Sequence, residues 1–273
     1  MAERNEKPTV VLGATGSTGR RVAALLREAG RPVRAASRSG GVRFDWADRA
    51  TWEPTVAGAG AMYLMAPHEL PVDPEFVRCA VENGVRRLVL LSSMAIELMG
   101  DERLMAAERT VRESGAEWTI VRPNWFNQNF DEGVFAAAIT AGELAVPVGE
   151  LRQAFVDADD IAAVAATALV EDGHAGRSYE VTGPEALSFP DALALIGAKV
   201  GREIRFHGES ADYVAAMTGF GVPREQVLSE LPGFEALRAG GDGAPTDVVR
   251  AVTGRAPKPF TAYVSQAHFP TTS

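Results

Sequence analysis

The stretch Gly13-Ala14-Thr15-Gly16-Ser17-Thr18-Gly19 restricts what this chain can fold into more than any other segment. It directly follows Thr9–Leu12 (TVVL), a short apolar run with the length and β-branching of a buried strand. It opens the stretch Gly16–Ala29, where Val22, Leu25, Leu26 and Ala29 recur on one helical face. Strand, glycine turn and amphipathic helix in this order make a phosphate cradle. The first glycine permits the tight turn, the second lets the backbone approach a pyrophosphate, and the third lets helix and strand pack closely. The helix N-terminus adds free N–H groups and the positive end of its dipole. Gly13, Thr15, Gly16, Ser17, Thr18 and Gly19 are therefore candidate dinucleotide contacts. The Gly-Lys-Ser/Thr ending of an ATP-hydrolysing P-loop is absent.

The rest of the first half repeats the alternation of short β-branched runs and longer helical stretches. Strands are expected at VRAAS (33–37), Val42–Phe44, Ala61–Met65, Arg87–Leu91, Trp118–Val121, Ala154–Val156 and Ser178–Val181. Helices are expected at Pro74–Asn83, Asp101–Ser114, Asp159–Leu169 and from about Phe189 to Val200. This pattern predicts an α/β fold with a doubly wound parallel sheet. The turn TGPEA suggests a division into a Rossmann domain over 1–182 and a smaller substrate-binding lobe over 183–273, with interleaved segments. From Gly201 onward only short elements are expected, and Gly240, Gly241 and Gly243 read as a mobile loop.

Composition narrows the function. The 273 residues are 46% hydrophobic and 23% charged, which suits a globular chain with a sizeable core and not a disordered one. A formal charge of -9 argues against nonspecific nucleic-acid binding. The absence of long apolar runs and of a leader-like N-terminus predicts a cytoplasmic protein without membrane association. The single Cys79 and the scattered His68, His174, His207 and His268 predict no disulfide and no metal site. A small-molecule substrate is the remaining expectation.

The second strand points to NADP(H). NAD-specific sites place a carboxylate at its end to hold the ribose 2′-hydroxyl. Here the strand ends in Ser37 and Arg38, which can donate to and clamp a 2′-phosphate. Asp45 and Trp46, after the third strand, are expected near the adenine edge.

The segments VVLGATGSTGRRV (10–22), RLVLLSSMA (87–95), ERTVRESGAEWTIVRPNWFNQNF (108–130), FVDADDIAAVAA (155–166) and YEVTGPEALSF (179–189) resemble the NmrA-like branch of the atypical short-chain dehydrogenase/reductase superfamily. The resemblance spans most of residues 9–200. It extends to type 2 NADPH:quinone oxidoreductases and to ergot-alkaloid-type reductases. It implies that Ala66, Pro67 and His68 run along the cofactor, and that Pro123, Asn124, Trp125 and Phe126 line the nicotinamide and substrate pocket. Ser92 and Ser93 fall at the carboxyl end of the fifth strand, where open α/β sheets bind ligands. Met94, Trp125, Phe126, Asn129 and Phe130 are the candidate substrate contacts.

No acid–base pair accompanies this pocket. Short-chain dehydrogenases use Tyr-x-x-x-Lys, but Pro67, Gly183, Met217 and Ala267 stand four residues after the four tyrosines. Several NmrA-like reductases carry Lys or His four residues before the helix glutamate, here Glu108; that position is Leu104. Glu108 itself reads as a structural ion-pair partner. The expected function is hydride transfer to an acceptor that is already electron-poor, such as a quinone, enone or iminium, with no catalytic residue assigned. A non-catalytic NADP(H)-binding sensor is the alternative, and cofactor-assisted isomerisation or epimerisation a third.

Overall fold

The computed structural model describes residues 7–67 and 70–269. The strands are β1 (Thr9–Leu12), β2 (Val33–Ser37), β3 (Val42–Arg43), β4 (Ala61–Met65), β5 (Arg87–Leu91), β6 (Glu117–Pro123), β7 (Glu143–Ala145), β8 (Arg177–Val181) and β9 (Arg205–His207). Helices α1 (Ser17–Glu28), α2 (Trp52–Val56), α3 (Pro74–Glu82), α4 (Ile96–Met99), α5 (Glu102–Arg112) and α6 (Ala136–Ala141) lie in the first half. Helices α7 (Ala158–Val170), α8 (Phe189–Val200), α9 (Ser210–Gly219), α10 (Arg224–Ala239), α11 (Val248–Thr253) and α12 (Phe260–Gln266) follow.

The main sheet is parallel throughout, in the order β3-β2-β1-β4-β5-β6-β8. The winding reverses between β1 and β4, and that reversal opens a crevice at the carboxyl ends of the strands. The period of two along each strand supplies both faces. Val10, Leu12, Met62, Leu64, Leu88 and Leu90 pack with α3 and α5. Val11, Tyr63, Val89 and Val121 pack under α1, α7 and α11. Alanines buried on several sides of α7 let α1 lie close against it. Chain alternation, helix spans and sheet class thus follow the sequence pattern, as do the strand runs through Val121.

Ala154–Val156 is not a strand. Val156 bridges Phe126 in one direction and Gln153 bridges Leu187 in the other, so this apolar run is satisfied by two isolated bridges and not by a ladder. The region after Gly201 is also more regular than expected. The helix α10 runs for 16 residues with Pro232 inside it. Proline costs that helix one hydrogen bond, but Leu228, whose carbonyl loses its partner, is exposed and open to water. At the next residue a Cβ would stand 2.9 Å from the Met99 carbonyl oxygen, so Gly233 allows α10 to lie directly on α4.

A third core lies off the sheet. Phe130, Phe135, Phe155, Phe189 and Phe260 meet there in edge-to-face and tilted pairs, joined by residues of α8, α9, α10 and α12. Phe130 has 0% exposure, lies in this cluster and does not border the cavity described below. Sequence neighbours Trp125 and Asn129 do reach the cavity described below, but the chain turns Phe130 inward behind them. Truncation of Phe130 to alanine is expected to cost about 4 kcal/mol through lost burial and a residual cavity. Urea unfolding of F130A against the wild type measures this.

Candidate functional site

The glycine turn is built as a cradle. Gly13 has φ +63°, a conformation that a side chain would strain. A Cβ on Gly19 would stand 2.2 Å from the Gly13 carbonyl oxygen, so only glycine lets α1 start this close to β1. Gly16 caps α1 in extended conformation with no side-chain hydrogen bond, which leaves the first-turn N–H groups for an anion. Thr15 and Gly16 are exposed at the turn. Thr18 is buried, and its hydroxyl accepts a 2.9 Å hydrogen bond from the Tyr63 hydroxyl, tying α1 to β4. Burial drives the Tyr63 pKa upward. Ser17, Arg20 and Arg21 all meet Glu132, so the loop after β6 is held beside the first turn of α1. These features fit a dinucleotide pyrophosphate.

At the second strand, Arg38 is exposed and Ser37 is not. The Ser37 hydroxyl is buried without a partner among the described residues, and a Cβ on Gly40 would come within 2.6 Å of it. In this conformation Arg38 and not Ser37 is open to a 2′-phosphate. The Asp45 carboxylate accepts from the backbone N–H of Ala47, and the half-buried Trp46 ring packs edge-on against Phe44 and Phe76. The carbonyl of Pro67 accepts from Arg103 beside half-buried Ala66. His68 lies outside the described residues.

Further along the crevice, β5 ends at Leu91 opposite Val121, and β6 runs on to Pro123. Ser92 is buried, and its hydroxyl donates at 2.6 Å to Glu108. Glu108 also accepts from Arg122 and Arg112 and is 1% exposed. Burial alone would raise this carboxyl, but the bonds from Arg122 and Ser92 and the charges of Arg122 and Arg112 hold it below its ordinary value. Ser92 is thus turned away from the crevice into an ion-pair cluster. Ser93 faces the other way.

Ser93, Met94, Asn124, Trp125, Phe126 and Asn129 border a cavity of about 480 Å³. Pro123 completes the β6 side. The Trp125 ring stacks on Phe135 at 5.7 Å and meets Phe189 edge-on, so the aromatic core fixes its orientation. Ala95, between Met94 and α4, has φ +58° and takes the left-handed conformation without being glycine. That costs on the order of 1–3 kcal/mol and sits on the cavity wall.

The opposite wall comes from residues that motif reading did not reach. Leu98, Met99 and Asp101 rise from α4 and the start of α5, and Leu237 and Gly240–Gly243 descend from the end of α10. The glycine loop is anchored: Gly243 N–H donates to the Arg152 carbonyl, and Asp242 accepts from the Arg152 N–H. Gln153, also in the wall, stands just before the run Ala154–Val156 expected as a strand, and no motif marks it. The glycines after position 239 were the only sequence signal for this side.

All four tyrosine hydroxyls are engaged elsewhere. Tyr63 meets Thr18, Tyr179 meets His174, Tyr213 meets Glu230 and Tyr263 meets Asp131. Burial drives Tyr63, Tyr213 and Tyr263 upward, and the neighbouring carboxylates add to this at Tyr213 and Tyr263, so none of the three is primed to ionise. No tyrosine, lysine, arginine or histidine borders the cavity among the described residues.

The family model for NAD(P)H-binding proteins matches residues 13–172. A (4-alkanoyl-5-oxo-2,5-dihydrofuran-3-yl)methyl phosphate reductase of Streptomyces griseus is 36% identical over 271 residues, covering 92% of this chain and 94% of the relative. The uncharacterised oxidoreductase YesF of Bacillus subtilis is 32% identical over 273 residues, covering 95% of each. The Escherichia coli NADPH-dependent quinone oxidoreductase QOR2 superposes with a TM-score of 0.77 at 22% identity, over 95% of this chain and 98% of that one. The chain belongs to the NAD(P)H-binding family, and it shares the fold of NmrA, which superposes with a TM-score of 0.67 at 15% identity over 96% of this chain and 95% of that one. It is an NAD(P)H-dependent oxidoreductase. Among the described residues, no helix is long and apolar enough to cross a membrane.

Two outcomes follow from the geometry. Gly19→Ala forces α1 away from Gly13 and is expected to weaken NADPH binding at least about 100-fold, close to 3 kcal/mol, in a fluorescence titration. Glu108→Gln leaves Arg122 without its buried charge partner and is expected to cost about 3 kcal/mol near neutral pH. The depressed Glu108 pKa contributes stability that is complete above the unfolded value of 4.5 and is lost as pH falls through the folded value. The stability gap between E108Q and the wild type should therefore narrow below pH 4.5, as read by chemical denaturation across pH.

Proposed function

We propose that this protein is an NADPH-dependent reductase of neutral, electron-poor small molecules, quinones above all. One observation carries the reading: an aromatic and apolar cavity at the carboxyl ends of β5 and β6 has amides in its wall, its two carboxylates, Asp101 and Asp242, accept from backbone N–H groups, and no tyrosine, lysine or histidine borders it among the described residues. When bound, reduced nicotinamide supplies the hydride, and a proton from water completes the reduction. The chain's own part is positional. The Gly13–Gly19 turn would hold the pyrophosphate, and Trp125 and Phe126 would orient a flat acceptor in a space shielded by α10. Carbonyl reduction to an alcohol needs a placed proton donor, whereas a quinone or enone does not.

The relatives' names fit a branch that acts on such compounds, among them an NAD(P)H azoreductase of Xenophilus azovorans at 31% identity. The Streptomyces relative's name gives it a substrate that carries a phosphate ester, a (4-alkanoyl-5-oxo-2,5-dihydrofuran-3-yl)methyl phosphate. A phosphate ester finds no cationic side chain among the described residues of this cavity, which favours an uncharged acceptor here. NADPH is preferred over NADH because β2 ends without a carboxylate and Arg38 is exposed where the 2′-phosphate would lie.

Fluorescence titration with NADPH and NADH, then addition of menadione, tests both parts. The expected result is tighter binding of NADPH and its oxidation on quinone addition. Arg38→Asp should reduce the NADPH-over-NADH preference at least about tenfold, the loss of one charge-assisted contact. Tight binding with no turnover on a broad panel of quinones and enones would overturn the reductase reading in favour of a sensor.

A further inference from the structure

We propose that Asn124 and Gln153 form a donor–acceptor pair that selects acceptors carrying a carbonyl group next to an N–H or hydroxyl. The proposal rests on the reductase reading for its site and deepens it by naming the substrate feature recognised. Both side chains border the cavity, and both are more than nine-tenths buried, at 6% and 4% exposure.

Their orientations are set by the backbone. The Asn124 Oδ1 accepts a 2.6 Å bond from the N–H of Trp125, which only an oxygen can do, so Nδ2 faces away as a donor. The Gln153 Nε2 donates at 2.9 Å to the Arg152 carbonyl, which only a nitrogen can do, so Oε1 is left as an acceptor. Neither Asn124 Nδ2 nor Gln153 Oε1 has a protein partner among the described residues. Neither atom is among the buried ones that lack a partner, so both are open to the cavity, and a molecule that displaces solvent from them must supply matching groups.

The two groups converge on one place. A Cβ on Gly243 would lie 3.3 Å from Asn124 Nδ2 and 3.5 Å from both polar atoms of Gln153. The amides therefore flank the point where the α10 loop closes on the cavity. The Arg152 carbonyl that orients Gln153 also receives the Gly243 N–H, so loop and acceptor are placed by the same atom. A substrate oxygen can accept from Asn124 while an adjacent N–H or O–H donates to Gln153. Sites of this kind discriminate against analogues lacking the polar group, because their own buried groups are then unpaired.

The test uses a pair of acceptors matched in size: menadione, with a methyl beside a quinone carbonyl, and 2-amino-1,4-naphthoquinone, with an amino group there. Binding is measured by equilibrium dialysis to the NADP⁺-loaded protein, which cannot reduce either compound. The wild type is expected to bind the aminoquinone about tenfold more tightly. Gln153→Met should bring that ratio close to one, and Gln153→Glu, which sets an oxygen against the Arg152 carbonyl and loses the orienting bond, should lower it. Asn124→Asp keeps the bond from Trp125 but turns an acceptor toward the quinone carbonyl, and should weaken both ligands. Equal binding of the two quinones by the wild type, no binding of either, or a ratio indifferent to Gln153→Met would each overturn the proposal. Turnover with NADPH is scored separately, so a protein that binds selectively but reduces neither quinone refutes the reductase reading alone.

Discussion

The approach of α1 to β1 governs the rest of the molecule. With a notional Gly19 Cβ only 2.2 Å from the Gly13 carbonyl oxygen, no other residue allows the helix to begin there. That contact aims the first-turn N–H groups of α1 into the crevice where the sheet reverses direction. It also brings α1 against α7, whose alanines permit the approach, and so sets one face of the sheet. The Tyr63–Thr18 bond and the contacts of Glu132 with Arg20 and Arg21 brace the same turn from below and from the side.

The cavity depends on a division of labour at the carboxyl ends of β5 and β6. Successive serines face opposite ways: Ser92 enters the cluster of Glu108, Arg112 and Arg122, and Ser93 borders the cavity. A carboxylate in this position is a catalytic candidate on sequence grounds, yet three partners hold Glu108 ionised and occupied. The reacting space is then left with amides, aromatic rings, apolar side chains, the Ser93 hydroxyl and two carboxylates, Asp101 and Asp242, that accept from backbone N–H groups. Such a wall can hold and orient a flat acceptor but pairs no acid with a base among the described residues, which fits a cofactor that carries the chemistry.

Much of this was legible in advance because it is local. The glycine turn, the alternation of strands and helices, the missing carboxylate after Ala36 and the absent Tyr-x-x-x-Lys spacing are all read within a few residues. The aromatic run from Trp125 to Phe130 was legible as a group but not one by one. Trp125 borders the cavity and Phe130 lies in the core, and six residues of a turning chain carry no period that separates the two. Ser37 is a similar case, since Gly40 folds over its hydroxyl from three residues away.

The sequence by itself determined the fold class and the cofactor cradle, because hydrophobic period, glycine placement and helix ends act over one or two turns of chain. Tertiary structure alone decided what closes the cavity. Gln153, Asp101, and Leu237 with Gly243 come from three separate segments, and they meet only because α10 rests on α4 and its loop is bonded to Arg152. Contacts between residues some 90 positions apart are set by the packing of whole helices, and no spacing along the chain records them.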